Sequence, residues 1–172
     1  MSELIRLFTQ IALLRRGPQD VPASTLLLAL TLLGYLCVNV LVSSVLPPVK
    51  RWPGQLLVDT LFTLVWYVAL LRLVGRPERT VQTTTAVFGF QAVLSPLLVA
   101  SEWLMRRFGE SATWQLPIAC AGLLLVVWLI AANSHVVKAA LEWSGTASVA
   151  LVILQIFAGQ LLLLTLFPPA NP

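Results

Sequence analysis

The chain has 172 residues, 58% of them hydrophobic and only 10% charged, with a net charge of +4. A soluble domain carries about 25% charged residues, and a chain this apolar could not cover its own core in water. The eleven Lys and Arg stand singly or in pairs beside apolar runs and form no basic face, which argues against a nucleic-acid partner and leaves the lipid bilayer as the natural solvent.

With about 20 apolar residues needed per crossing, the expected fold is an all-α integral membrane protein with about five transmembrane helices, preceded by a short N-terminal amphipathic interfacial helix. That first helix occupies residues 1–17. Leu4, Leu7, Phe8, Ile11 and Leu14 follow one helical face, Glu3, Arg6 and Gln10 fall on the other, and Gly17-Pro18 stops the helix. Arg15 and Arg16 then sit at headgroup level. A frayed N-terminus is the plainer alternative; a signal peptide is disfavoured by acidic Glu3 and by the lack of a small-x-small cleavage site.

Residues 18–172 form one membrane domain, with spans expected at about 24–46, 56–74, 83–105, 114–132 and 147–167. Asp20 and Ser24 offer N-cap oxygens to the first span, and Pro47-Pro48 ends it. Pro96 is expected to kink the third span. The fourth continues helically past His135 toward Leu141, and Pro168-Pro169 follows the fifth. Trp52, Trp103, Trp114 and Trp143 fall near span ends, where amphipathic rings prefer the interface. Trp66 and Trp128 lie deeper.

Lys and Arg counted by loop give seven on the N-terminal side (Arg6, Arg15, Arg16, Arg72, Arg76, Arg79, Lys138) and four on the other (Lys50, Arg51, Arg106, Arg107). The positive-inside rule then expects a cytoplasmic N-terminus and an outward C-terminus in a multi-pass protein.

Ionisable and amide side chains within spans are expensive and mark candidate sites. Asp59 and Glu102 lie toward the outer ends of spans two and three, with Arg51 and Arg106 as ion-pair partners. They read either as interfacial caps or as a cation- or proton-accepting pair. Asn39 and Gln91, with Gln155 and Gln160, are amides placed to glue helices or to line a polar path. Gly89, Gly122 and Gly159 permit close helix approach. At the inner side His135, Lys138 and Glu142 recur at spacings of three and four, so they share one helical face. A pH sensor, a headgroup site, an ordinary solvated face and a contact with the second loop all fit that face. The geometric expectation is docking around Arg79 and Gln82, with Glu142 meeting Arg76 or Arg79 and His135 meeting Gln82.

No catalytic motif is present: there is no H-E-x-x-H, G-x-S-x-G or P-loop pattern. Ser134 and His135 diverge on a helix and make no dyad. Cys37 and Cys120 have no neighbour at ligand spacing and read as small packing residues. No metal, no cofactor and no enzymatic activity is expected.

Two stretches carry a family resemblance. Arg79-Thr-Val-Gln-Thr-Thr-Thr-Ala-Val-Phe-Gly89 resembles the R-x-x-Q-T-x-x-A-x-x-G pattern that opens the third span of bacterial five-span membrane proteins related to the Yip family. Trp128–Leu141 resembles their later W-x(6)-H-[IV]-x-[RK]-x-A-L segment, with Lys138 where Arg is commoner. The resemblance implies a Yip-like architecture in a bacterial inner membrane and a non-catalytic role as adaptor, scaffold or lipid-organising factor, with the bilayer, other membrane proteins or a second copy of the chain as partners. The alternative from the residues is a subunit of a transporter or channel, which requires Asp59, Gln91 and Asn39 to line one aqueous path.

Overall fold

The computed structural model describes residues 2–43, 52–111 and 113–168, and in them every regular element is a helix. Helix α1 covers Ser2–Ala12, α2 Thr25–Ser43, α3 Trp52–Leu73, α4 Thr80–Phe108, α5 Gln115–Leu141 and α6 Gly145–Leu166. Short 3₁₀ turns at Pro18–Asp20 and Pro77–Arg79 lead into α2 and α4. Helices α3, α4, α5 and α6 are each long and apolar enough to cross a membrane, while α2 is apolar and shorter. The exposed faces agree with a lipid surround. Leu26, Leu30 and Leu33 on α2, Leu123 and Leu124 on α5, and Phe157 and Leu161 on α6 are all more than half exposed, a pattern that water would not tolerate over so wide a surface. The chain is membrane-embedded.

Helix α4 is the axis. It packs against α1, α2, α3 and α5, and its stretch from Thr83 to Phe90 is fully buried. Buried threonine hydroxyls in a helix need an acceptor, and Thr84 and Thr85 find theirs in the carbonyls one turn back, at Thr80 and Val81. The helix runs on through Pro96, which has no N–H for the carbonyl of Ala92. One residue earlier, the Ser95 hydroxyl donates to the Gln91 carbonyl at 2.8 Å.

The starts of α2, α4 and α6 and the ends of α3 and α5 gather at one end of the bundle, here the Arg79 end. Helix α1 is docked into the bundle through Leu7, Phe8, Ile11 and Ala12, while Glu3, Ile5 and Arg6 stay exposed. The Phe8 ring occupies the notch left by Gly89: a Cβ on Gly89 would lie 2.2 Å from it. The indole N–H of Trp128 donates to the Ala12 carbonyl at 2.7 Å and so caps an otherwise open helix end. The helix stops at Ala12, earlier than Gly17-Pro18, because Leu14 turns left-handed at φ 61°. That turn takes Leu14 off the apolar face and leaves it exposed. Pro47-Pro48, Lys50 and Arg51 lie outside the described residues, as does Pro169.

Candidate functional site

Helix α2 lies along α4 closely, whereas α3 touches α2, α4 and α6 more sparsely. The space left between them is a cavity of about 440 Å³ to which all five helices α2–α6 contribute lining. Along α4 the lining runs from Gln91 to Leu98, roughly 10 Å at about 1.5 Å per residue. Three residues that the sequence marks as out of place in a span, Asn39, Asp59 and Gln91, come together here, and Gln155 and Gln160 join them from α6.

Asp59 is the ionic group of this lining. It sits on the third turn of α3 and, among the described residues, no ion pair or hydrogen bond reaches it. An aspartate at the centre of a membrane helix costs about 2.5–3.5 kcal/mol on insertion scales; Asp59 lies short of the centre of α3, and the amide-lined cavity reduces the cost further. One N–H of the Asn39 amide donates to the Tyr35 carbonyl of its own helix, at 2.8 Å. The other N–H and the amide oxygen are left for the cavity. The rings of Tyr35 and Phe62 and the aliphatic side chains of Leu98, Leu129 and Ile156 make the rest of the wall amphipathic. Gly159 lets α6 approach α3 here, since a Cβ on it would meet the Phe62 ring at 3.2 Å.

Toward the Arg79 end a buried polar node joins three helices beside the cavity. Tyr67 is 1% exposed, and its hydroxyl lies 2.8 Å from the Asn133 side-chain oxygen and 2.9 Å from that of Gln155. A phenol has one hydrogen. It therefore donates to one amide and accepts from the other once that amide is turned, an exchange that side-chain amides permit. Asn133 and Gln155 also line the cavity, so the node links helix packing to the polar space. Tyr67 and Asn133 escape a reading by sequence, because one sits in an apolar run and the other reads as part of a helix leaving the bilayer. Their signal is the polar atom on an otherwise apolar helix face.

The second candidate face is partly as expected. Glu142 pairs with Arg76 at 2.6 Å and with Arg79 at 2.8 Å. These two guanidiniums hold the Glu142 carboxyl down at about 2, Arg76 contributing most, and the same contact raises the pKa of Arg76. Arg79 does more than pair. Its guanidinium donates to the carbonyls of Ala139 and Ala140, each at 3.2 Å, satisfying the open end of α5 where Glu142 turns left-handed.

The expected meeting of His135 with Gln82 does not occur. Gln82 is taken by the linker before α2, its amide donating to the Val21 carbonyl at 2.9 Å, because the first turn of α4 faces that linker. His135 instead lies with Lys138, Glu142 and Trp143 around a shallow surface pocket. In the stretch that opens α4, Arg79 thus fastens the end of α5 and Gln82 fastens the approach to α2.

Glu102 is not brought to Asp59. It is half exposed near the other end of α4 and pairs with Arg106 one turn on, at 3.1 Å to Nε. The pair does not line the cavity. Cys37 and Cys120 are exposed and unbridged. Among the described residues no group of three or more His, Cys, Asp or Glu gathers as a metal site. Comparison of the chain with protein-family models, curated proteins and solved structures finds no match.

Proposed function

We propose that this chain is a non-catalytic membrane protein that takes up a small polar solute inside the bilayer, as a transporter or a subunit of one. The observation that carries the reading is the convergence of Asn39, Asp59, Gln91, Gln155 and Gln160 on one cavity. A scaffold needs polar groups at helix interfaces, while a solute path needs them around a space. Binding sites of small molecules commonly have volumes of about 300–1,000 Å³, with a few polar groups in an apolar wall, and this cavity falls in that range.

Five spans complete the architecture, with α2 as the fifth crossing and α1 as an interfacial helix seated on α4. Seven cations against four favour a cytoplasmic Arg79 end, in a bacterial inner membrane. The stretches that resemble Yip-related proteins, at Arg79–Gly89 and Trp128–Leu141, enter as architecture. An adaptor or lipid-organising role is the second reading, favoured by the Tyr67–Asn133–Gln155 node, where polar groups are spent on joining helices.

The test is aqueous access. In protein whose Cys37 and Cys120 are replaced, single cysteines at Asn39, Gln91 and Gln160 should react with a membrane-impermeant thiol reagent. A cysteine at lipid-facing Leu124 should not. If all four positions resist alike, the cavity is dry and the scaffold reading takes over. A reporter active only in the cytoplasm should work in the loop at Glu78 and fail after Pro172.

A further inference from the structure

Resting on that reading, we infer that the cavity is a site for a protonated organic amine. Asp59 offers a negative charge among neutral amides and hydroxyls, and among the described residues no Lys, Arg or His contributes to the lining. A carboxylate held away from bulk water is stabilised most by a cation that can also donate hydrogen bonds. The carbonyl oxygens of Asn39, Gln91 and Gln160 supply the further acceptors that an ammonium group needs.

The rest of the wall narrows the class. A divalent metal seeks several hard oxygen ligands, carboxylates among them, and among the described residues the lining holds a single carboxylate. The Tyr35 and Phe62 side chains put aromatic rings in the wall, which a cation can use, and Leu98, Leu129 and Ile156 suit hydrocarbon. A hydrated inorganic ion gains nothing from such walls. A small amphipathic amine uses both halves: its nitrogen at Asp59, its carbon body against the aliphatic side. The amine can belong to a free solute or to the headgroup of an aminophospholipid, since both present the same R–NH₃⁺.

The experiment compares 2-phenylethylammonium, 2-phenylethanol and 3-phenylpropionate, three small phenylalkyl compounds that differ chiefly in charge. Binding to the full chain is measured calorimetrically in dodecyl maltoside micelles, which contain no amine. The ammonium should bind saturably, the alcohol at least tenfold more weakly, and the carboxylate more weakly still. Asp59→Asn should reduce ammonium affinity at least tenfold and leave alcohol affinity unchanged. The three-ligand series on the unaltered chain stands without the variant if that variant does not fold. Equal affinity for ammonium and alcohol, no ammonium binding, or full ammonium affinity in Asp59→Asn each overturns the inference. Phosphatidylethanolamine titrated into the micelles then distinguishes the sources. Competition with the ammonium identifies a lipid headgroup, and its absence a free amine. Thiol labelling at Asn39 and Gln160 separates the two levels: a hydrated cavity without cation preference removes this inference alone, and a dry one removes the solute reading with it.

Discussion

Replacing Tyr67 by Phe removes one oxygen and leaves the ring's packing intact, so it isolates the node between α3, α5 and α6. Two hydrogen bonds are lost, at 2.8 and 2.9 Å. Interhelical hydrogen bonds in membrane proteins average about 0.6 kcal/mol, which gives roughly 1.2 kcal/mol for the pair. Stranding a buried amide adds up to about 1–3 kcal/mol, but Asn133 and Gln155 also face the cavity, and water there can serve them. The expected loss is therefore about 1–2 kcal/mol, near the lower bound. Reversible unfolding in mixed maltoside and dodecyl sulfate micelles measures it. A cycle of Tyr67→Phe, Gln155→Leu and the double variant should show a coupling of at least about 0.5 kcal/mol. A Tyr67→Phe protein within about 0.3 kcal/mol of wild type, with no coupling to Gln155, would refute the node as a structural element.

Gly89→Ala puts a Cβ 2.2 Å from the Phe8 ring and should destabilise α1 docking by about 1–3 kcal/mol. Faster amide exchange over residues 2–12 reads this out, and Phe8→Ala should restore protection; unchanged exchange in Gly89→Ala contradicts it. Because the Glu142 carboxyl is held down at about 2, its pairing is full above the ordinary glutamate range, near about 4.3. It should be lost as pH falls from there through about 2. A spin label at Glu78 should loosen over that window, and Glu142→Gln should be loose and pH-independent across it. Glu102→Gln breaks a half-exposed pair and should change unfolding free energy by less than about 1 kcal/mol; a larger loss would point to an unrecognised partner.

Helix positions are legible in the sequence because lipid imposes a length and an apolarity on each crossing segment, and Gly and Pro mark the breaks. Helices α3, α4 and α6 begin and end within a few residues of the expected segments, and α5 runs on to Leu141, the continuation expected past His135. What one helix does to another is harder to read. The apolar face of residues 4–11 suits a membrane surface and a groove between helices equally well. The notch at Gly89 and the Trp128 bond to Ala12 distinguish the two. Asn39, Asp59 and Gln91 stand out singly as polar groups in spans. Whether they face one another depends on how each helix is rotated about its own axis, which near-uniform apolar sequence does not encode. Glu142 and Arg79 carry opposite charges on facing segments and are foreseeable, whereas Gln82 has no such preference and is claimed by the nearest open carbonyl, that of Val21.

The fastening of α5 by Arg79 has a consequence for biosynthesis. The carbonyls that Arg79 reaches lie 60 and 61 residues further along the chain. At about 5–20 residues per second, the ribosome needs roughly 3–12 s to make them after Arg79 itself. Throughout that interval α4, the least apolar of the long helices and the most buried in the finished bundle, has only α1, α2 and α3 beside it. Thr84 and Thr85 keep their hydroxyls on their own helix, so those two groups need no later helix, whereas the buried Thr83 hydroxyl beside them has no hydrogen-bond partner among the described residues. The guanidinium of Arg79 is without these two carbonyls until α5 is made.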